Sequence, residues 1–244
     1  MKFLYATCNE MIDLLPGYCK LFNKYWGLEQ EVDVLGFDPP SFDLPKNFKF
    51  VSLGKQEDYP NKVWTDPILP IIKNLKEEYF VLALADLFPI NYVRKDLVEK
   101  GIRLIKEEKV QKIAFFKGSE KQNSACLPFD EDFIVLGQHA EYRSSLEPGL
   151  WSKQHFLKYA ERGMTAWDYE IKNMRRSTCD GAVILFARDK PIFPWVNVLV
   201  KGQFNYKTWD QIQKTAALHW SWSCWHKLNS EDIQIYERYK DLYP

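Results

Sequence analysis

The chain lacks any excess of charge: 33 Lys and Arg stand against 33 Asp and Glu among 244 residues. A protein that binds by covering phosphates with cations usually shows a basic surplus, so a general nucleic-acid coat is excluded while a local basic groove is not. Cysteine is also sparse. The five cysteines, Cys8, Cys19, Cys126, Cys179 and Cys224, are scattered and never spaced C-x-x-C, which excludes a disulfide framework or zinc knuckle and fits a reducing compartment. Long apolar runs are missing. Stretches such as YFVLALADLF and AVILFA fall short of the roughly 20 residues that span a bilayer. The N-terminal apolar run is too short for a signal-peptide core, so a soluble, cytoplasmic protein is expected. No G-x-x-x-x-G-K-[ST], no G-x-G-x-x-G after a strand and no G-x-S-x-G occurs, which counts against P-loop enzymes, dehydrogenases and α/β-hydrolases.

What is abundant is aromatic: 16% of the residues are Phe, Trp or Tyr, nine of them Trp. With 46% hydrophobic and 27% charged residues, the composition is that of a globular protein rather than a disordered one. A chain this long buries about 70% or more of the surface its unfolded form exposes, enough to fold without staples.

Apolar runs and helical spacings alternate along the chain. Short strands are expected at residues 2–6, 31–37, 48–53, 79–84, 112–116, 133–136, 182–187 and 195–200. Helices are expected at 11–25, 65–76 with Thr65 as N-cap, 94–107, 150–161 and 167–176. The run YFVLAL is apolar on both alternating faces, as suits a central strand covered on both sides. The class is therefore α/β, a mostly parallel central sheet flanked by helices in a single domain over residues 1–206. Residues 207–244 read as an aromatic-rich helical extension packed on that domain.

In open α/β sheets ligands bind outside the carboxyl ends of the strands. Two polar groups follow apolar strands directly: Thr7, Cys8 and Asn9 after the first, and Asp86 after YFVLAL. A carboxylate at a buried strand end is costly unless it is paired, hydrogen-bonded or bound to a cation. The plain alternative for Asp86 is a cap, or an ion pair with Arg94 or Lys95.

Several blocks resemble glycosyltransferases of the GT-A, Rossmann-like fold, in particular small bacterial and viral ones. EEYFVLALADLFPI, reached through VWTDPILPIIKNL, is similar to the segment whose acidic motif ends the central strand. YRSSLEPGLWSKQHFLKYAERGMTAWDYE, residues 142–170, is the most specific block. PWVNVLVKGQF and the opening LYATCNEMIDLLPGYCKLFNKYW match in order, covering most of residues 1–206.

The resemblance implies a nucleotide-sugar donor, here a UDP-sugar, and a divalent cation, Mn²⁺ or Mg²⁺, held by Asp86 against the leaving diphosphate. One departure stands out: Ala85 occupies a position that is acidic in many relatives. The resemblance places Trp64, Asp66 and Asp86 at the donor; Thr7, Cys8 and Asn9, by their strand-end position, and Arg143, by its planar fork, are further candidate donor contacts. Trp64 reads equally well as core, and Arg143 as a partner of Glu147. Glu170 is the expected general base, with Asp168 as a first-turn capping or acceptor-binding group; two residues apart on a helix, they cannot both face one substrate. The alternative is that both acids only favour the helix N-terminus. Trp167 and Trp222 are the expected acceptor contacts. Trp220, Trp222 and Trp225 with His219 and His226 also fit a buried stripe.

The expected acceptor is a glycan, a small molecule or a hydroxymethylated base in phage DNA, for which the Lys-rich residues 94–112 would supply a basic face or merely a solvated one. Two alternatives remain: a non-catalytic domain that binds nucleotide-sugars or glycans, and a nucleotidyltransferase.

Overall fold

The computed structural model describes residues 1–116, 126–200, 203–205, 207, 208 and 212. It opens with β1 (Lys2–Ala6), a 3-10 turn (Asn9–Leu14) and α1 (Leu15–Tyr25), followed by β2 (Val32–Gly36) and β3 (Phe48–Ser52). Then come α2 (Thr65–Lys73), β4 (Tyr79–Leu84), β5 (Leu87–Pro89), α3 (Lys95–Lys106) and β6 (Lys112–Ala114). Beyond residue 125 lie β7 (Cys126–Pro128), β8 (Phe133–Leu136), β9 (Gly149–Ser152), α4 (Lys153–Tyr159), α5 (Ala166–Arg176) and β10 (Ile184–Ala187). The described chain finishes with β11 (Trp195–Asn197), β12 (Leu199–Val200) and β13 (Gln203–Phe204).

Nine strands form one sheet in the order β3-β2-β1-β4-β9-β6-β10-β8-β7. β1 pairs in parallel with β2 and β4, β2 with β3, and β6 with β10. β9 runs antiparallel between β4 and β6, and β8 runs antiparallel beside β10. The expected α/β architecture, mostly parallel and covered on both faces, is what the structure has.

Alternation along the central strands explains why both faces are covered. Phe3 and Tyr5 of β1, with Val81 and Ala83 of β4, join the cluster under α1 and α3. Leu4 and Ala6, with Phe80 and Leu82, join the cluster that includes Ile68 and Ile72 of α2, Phe156 of α4 and Tyr169 of α5. Removing each large apolar side chain from water is worth about 1.5–3 kcal/mol. These two strands therefore hold the molecule together.

Three sequence expectations are corrected. Residues 150–152 are strand, not helix: Leu150 and Trp151 fill the gap between β4 and β6, and the helix begins only at Lys153 behind its N-cap Ser152. Gly149 makes that insertion possible, since a Cβ there would lie 2.8 Å from the Ile113 carbonyl oxygen. Thr65 is the first helical residue, not the cap; its hydroxyl accepts from the Met164 N–H at 3.0 Å and donates to the Met164 carbonyl at 3.3 Å. The Lys-rich residues 94–112 form no uniform basic face, because Lys95 pairs with Glu29, Lys100 with Asp130 and Asp132, and Lys112 is buried. Of the expected extension over residues 207–244 only 207, 208 and 212 are described, with Ile212 buried in the core. Among the described residues no helix is long and apolar enough to cross a membrane.

Candidate functional site

The carboxyl ends of β1, β2 and β4 share one edge of the sheet. The Thr7 N–H donates to the Leu35 carbonyl at 2.8 Å, carrying the β1–β2 pairing one residue further. Asn9 then ties three loops together. Its Nδ2 donates to Asp38 Oδ2 at 2.6 Å, its Oδ1 accepts from the Asp38 N–H at 3.0 Å, and its N–H donates to Gln56 Oε1 at 2.8 Å. Gln56 Nε2 in turn donates to both Glu10 oxygens, at 2.9 and 3.0 Å. Thr7, Cys8 and Asn9 thus form a shelf whose polar atoms are oriented by their neighbours. Burial, with a hydrogen bond to Glu10 adding, pushes the Cys8 thiol up to about 11, so it is no nucleophile at neutral pH.

Asp86 sits in the tight turn between β4 and β5. That turn is pinned on both sides: the Tyr5 hydroxyl donates to the Ala85 carbonyl at 3.2 Å, and the Val198 N–H donates to the Asp86 carbonyl at 2.8 Å. Arg94 and Lys95, the ordinary partners considered for Asp86, face Asp96 and Asp132, and Glu29, respectively. Burial pushes the Asp86 carboxyl up to about 6, the negative charge of Glu170 adding and its own backbone N–H opposing.

Glu170 reaches this edge from α5. Its Oε1 accepts from the Leu146 N–H at 2.6 Å, while its backbone carbonyl accepts from the Ser144 hydroxyl at 2.9 Å. Two further groups, which the sequence reading did not single out as site residues, join it. Glu147 lies two residues before β9, and burial pushes its carboxyl up to about 7, with Lys112 and the Ser145 hydroxyl opposing and Glu170 adding. Lys112, at 1% exposure, donates to the Ser145 carbonyl at 2.5 Å and lies 4.2 Å from the centroid of the Trp151 ring. Burial pulls its ammonium down to about 8, against the pull of Glu147 and Glu170. The signals were present but faint: a lysine opening the apolar run KIAFF, and a glutamate before Pro-Gly at the start of a strand.

Asp168, Trp64 and Asp66 have structural partners of their own. Asp168 is on another face of α5 from Glu170, in a capping box: its Oδ2 accepts from the Thr165 N–H at 3.1 Å, its N–H donates to Thr165 Oγ1 at 2.9 Å, and Lys172 pairs with it at 3.0 Å. Its carboxyl is held below the usual carboxylate range by Lys172 first, then Thr165. Trp167 stands 62% exposed in the first turn of the same helix. Trp64 packs edge-on against Phe156 and Tyr169, with centroids 6.1 and 6.0 Å away. Asp66 accepts from the Gly163 N–H at 2.6 Å and faces Arg162 at 3.6 Å. Both therefore brace the loop that leads into α5.

Arg143 is placed against its expected role. It is 0% exposed, and its guanidinium donates to the carbonyls of Ser177, Leu136, Gly137 and Ala182 and to Asp180 Oδ1 at 2.7 to 3.1 Å. No donor is left for a diphosphate, and Glu147 is not its partner. Trp222, with Trp220, Trp225, His219 and His226, lies outside the described residues.

The fit to a divalent cation is partial. Among the described residues no group of three or more His, Cys, Asp or Glu side chains is arranged to hold an ion, so the protein offers no cage of its own. Asp86, half-buried and without a cationic neighbour in β4 or β5, fits a single-carboxylate anchor that phosphate oxygens and waters complete.

Neither the protein-family models nor the curated protein sequences include a match to this chain. Solved structures do resemble it. S. aureus TarS superposes with a TM-score of 0.50 at 13% identity, over 98% of this chain and 42% of that one. A UDP-glucose pyrophosphorylase gives 0.50 at 9% identity, over 88% of this chain and 96% of that one. TarS 1-349 in complex with UDP-GlcNAc gives 0.49 at 16% identity, over 84% of this chain and 60% of that one. This chain thus spans less than two thirds of the TarS chains, and what it shares at such identities is the fold.

Proposed function

We propose that this protein is a glycosyltransferase that moves a sugar from a UDP-sugar to a hydroxyl acceptor. The observation that carries the reading is that Asp86, in the turn after β4, feels the charge of Glu170 of α5, and that Glu147, just before β9, feels the charges of Glu170 and Lys112. Shifted carboxyls near the carboxyl end of a central strand, as Asp86 and Glu147 are, favour a reacting site. On this reading the shelf of Thr7, Cys8 and Asn9 receives the nucleoside, and Asp86 lies at the diphosphate. Mn²⁺ or Mg²⁺ held there by Asp86 would neutralise the charge that develops on the leaving diphosphate. The acceptor's proton goes to a carboxylate of the same cluster, and Trp167 offers the acceptor an exposed aromatic face.

Incubation with a panel of UDP-, GDP- and CMP-sugars in Mn²⁺ tests this. Release of UDP, and its loss in Asp86→Ala, is expected; nucleotide binding without release from any donor would leave a binding domain instead. The likeness to a UDP-glucose pyrophosphorylase over 96% of that chain favours a second reading, a nucleotidyltransferase. Its signature is consumption of a nucleoside triphosphate and a sugar phosphate with release of pyrophosphate, which a glycosyltransferase does not show.

A further inference from the structure

We propose that Glu147, rather than Glu170, takes the proton of the attacking hydroxyl, and that Glu170 is a positioning residue acting through it. The inference rests on the glycosyltransferase reading and assigns roles within it.

Geometry separates the two glutamates. Glu170 grips residues 144–147 at two points, through its Oε1 on the Leu146 N–H and its carbonyl on the Ser144 hydroxyl. The Glu170 Oε1 is thus already engaged by the backbone at 2.6 Å, and the side chain serves to hold the loop. Glu147 follows immediately after the gripped Leu146. Because β9 runs antiparallel between β4 and β6, with Gly149 level with both Leu82 and Ala114, its amino end opens onto the edge where those two strands finish. Extending the register places Glu147 level with Leu84, next to the turn that carries Asp86.

The charged groups around Glu147 come from two elements. Lys112 of β6 opposes its protonation, Glu170 of α5 favours it, the Ser145 hydroxyl bonds it from its own loop, and Arg143 lies behind Lys112. The outcome is a carboxyl that titrates at about 7, where a base is most effective under neutral conditions. In an inverting transfer the acceptor O–H bond breaks and its proton passes to the Glu147 carboxylate. The oxygen's electron pair forms the bond to the anomeric carbon, and the bond from that carbon to the diphosphate oxygen breaks, its electrons leaving with the diphosphate at Asp86.

The test compares donor turnover by the full chain with that of Glu147→Gln, Glu147→Asp, Glu170→Gln and Glu170→Ala between about pH 5 and 9, with UDP affinity measured alongside. Glu147→Gln should lower kcat about 10² to 10⁴-fold, leave the UDP Kd within about twofold, and move the acid limb of the profile down from about 7 to about 6, the value of Asp86. Glu147→Asp, which keeps a carboxyl, should retain that limb at lower rate. Glu170→Gln, whose amide oxygen can still accept from Leu146, should stay within about tenfold in kcat and keep the limb, shifted to lower pH; Glu170→Ala, which releases the loop, should fall much further. Wild-type kcat and an intact acid limb in Glu147→Gln would overturn the assignment while leaving the glycosyltransferase reading standing. A kcat loss of that size in Glu170→Gln but not in Glu147→Gln would reverse the two roles. A wild-type protein that binds UDP yet turns over no donor sinks both readings.

Discussion

Arg143 and Asp180 form an ion pair of 3.0 Å with side chains 0% and 4% exposed, and Asp180 also accepts from the Tyr159 hydroxyl. Removing Arg143 leaves buried Asp180 with only the Tyr159 hydroxyl and Lys158 at 3.5 Å, and leaves four carbonyls without their donor; breaking a buried pair typically costs about 3–5 kcal/mol. Arg143→Ala should therefore lower stability by roughly that amount in chemical denaturation. Arg143→Lys, which cannot span the five acceptors, should be clearly destabilised too. If instead Arg143→Lys folded as stably as wild type but lost UDP affinity, the residue would be a donor contact after all.

Glu147 and Lys112 set a pH signature of opposite slopes. The Glu147 carboxyl rises from 4.5 to about 7 on folding, so between these values the native state binds more protons than the unfolded state and stability falls as pH increases. The Lys112 ammonium drops from 10.5 to about 8, so between 8 and 10.5 the native state binds fewer protons and stability climbs again. At 1.36 kcal/mol per unit each arm is on the order of 3 kcal/mol. Wild type should therefore show a dip near neutrality, relative to the double variant Glu147→Gln/Lys112→Met, in urea midpoints taken across pH. Parallel curves for the two proteins would show that neither group is shifted.

Gly149→Ala should cost about 1–3 kcal/mol, because the added methyl meets the Ile113 backbone on the neighbouring strand rather than a side chain that can turn away. It should also depress turnover, since it displaces the strand whose leading end carries Glu147. A Tm within about 1 °C of wild type would mean that the β6–β9 spacing is looser than the contact implies.

The two faces of the first turn of α5 should separate cleanly. Thr165→Ala removes the cap that bonds the Asp168 N–H at 2.9 Å and should cost about 0.5–2 kcal/mol with kcat little changed. Trp167→Ala, at a 62% exposed position, should be neutral in stability to within about 0.5 kcal/mol. Its expected effect is a raised KM for the acceptor with donor hydrolysis unaffected; an unchanged acceptor KM would remove Trp167 from the site.

The parts of the fold legible in the sequence are those whose burial is two-sided. KFLYA, VDVLG and YFVLAL lie near the middle of a covered sheet, so their apolar runs are continuous and helical spacing does not compete with them. LWS, residues 150–152, reads as the start of a helix because it is short, runs straight into α4, and shares its apolar spacing with Phe156 and Leu157. Only the neighbouring strands reveal it as a strand. Within the site, Asp86 was legible because a carboxylate stood directly after an apolar strand. Glu147 was not, because a glutamate before Pro-Gly reads as turn punctuation, and its significance depends on β9 slotting between strands remote in sequence. Arg143 misled for the converse reason: its burial depends on carbonyls at 136, 137, 177 and 182, which no local pattern brings together.

The position of β9 also orders the assembly of the molecule in time. Within the nine-stranded sheet, β9 is the hydrogen-bonded link between β3-β2-β1-β4 and β6-β10-β8-β7, and it is later in the chain than both β4 and β6. In chain order, β6 is made before both of its neighbours in the sheet, β9 and β10. Asp86 is likewise synthesised well before Glu147 and Glu170, and the three come together only once both β9 and α5 have taken their places.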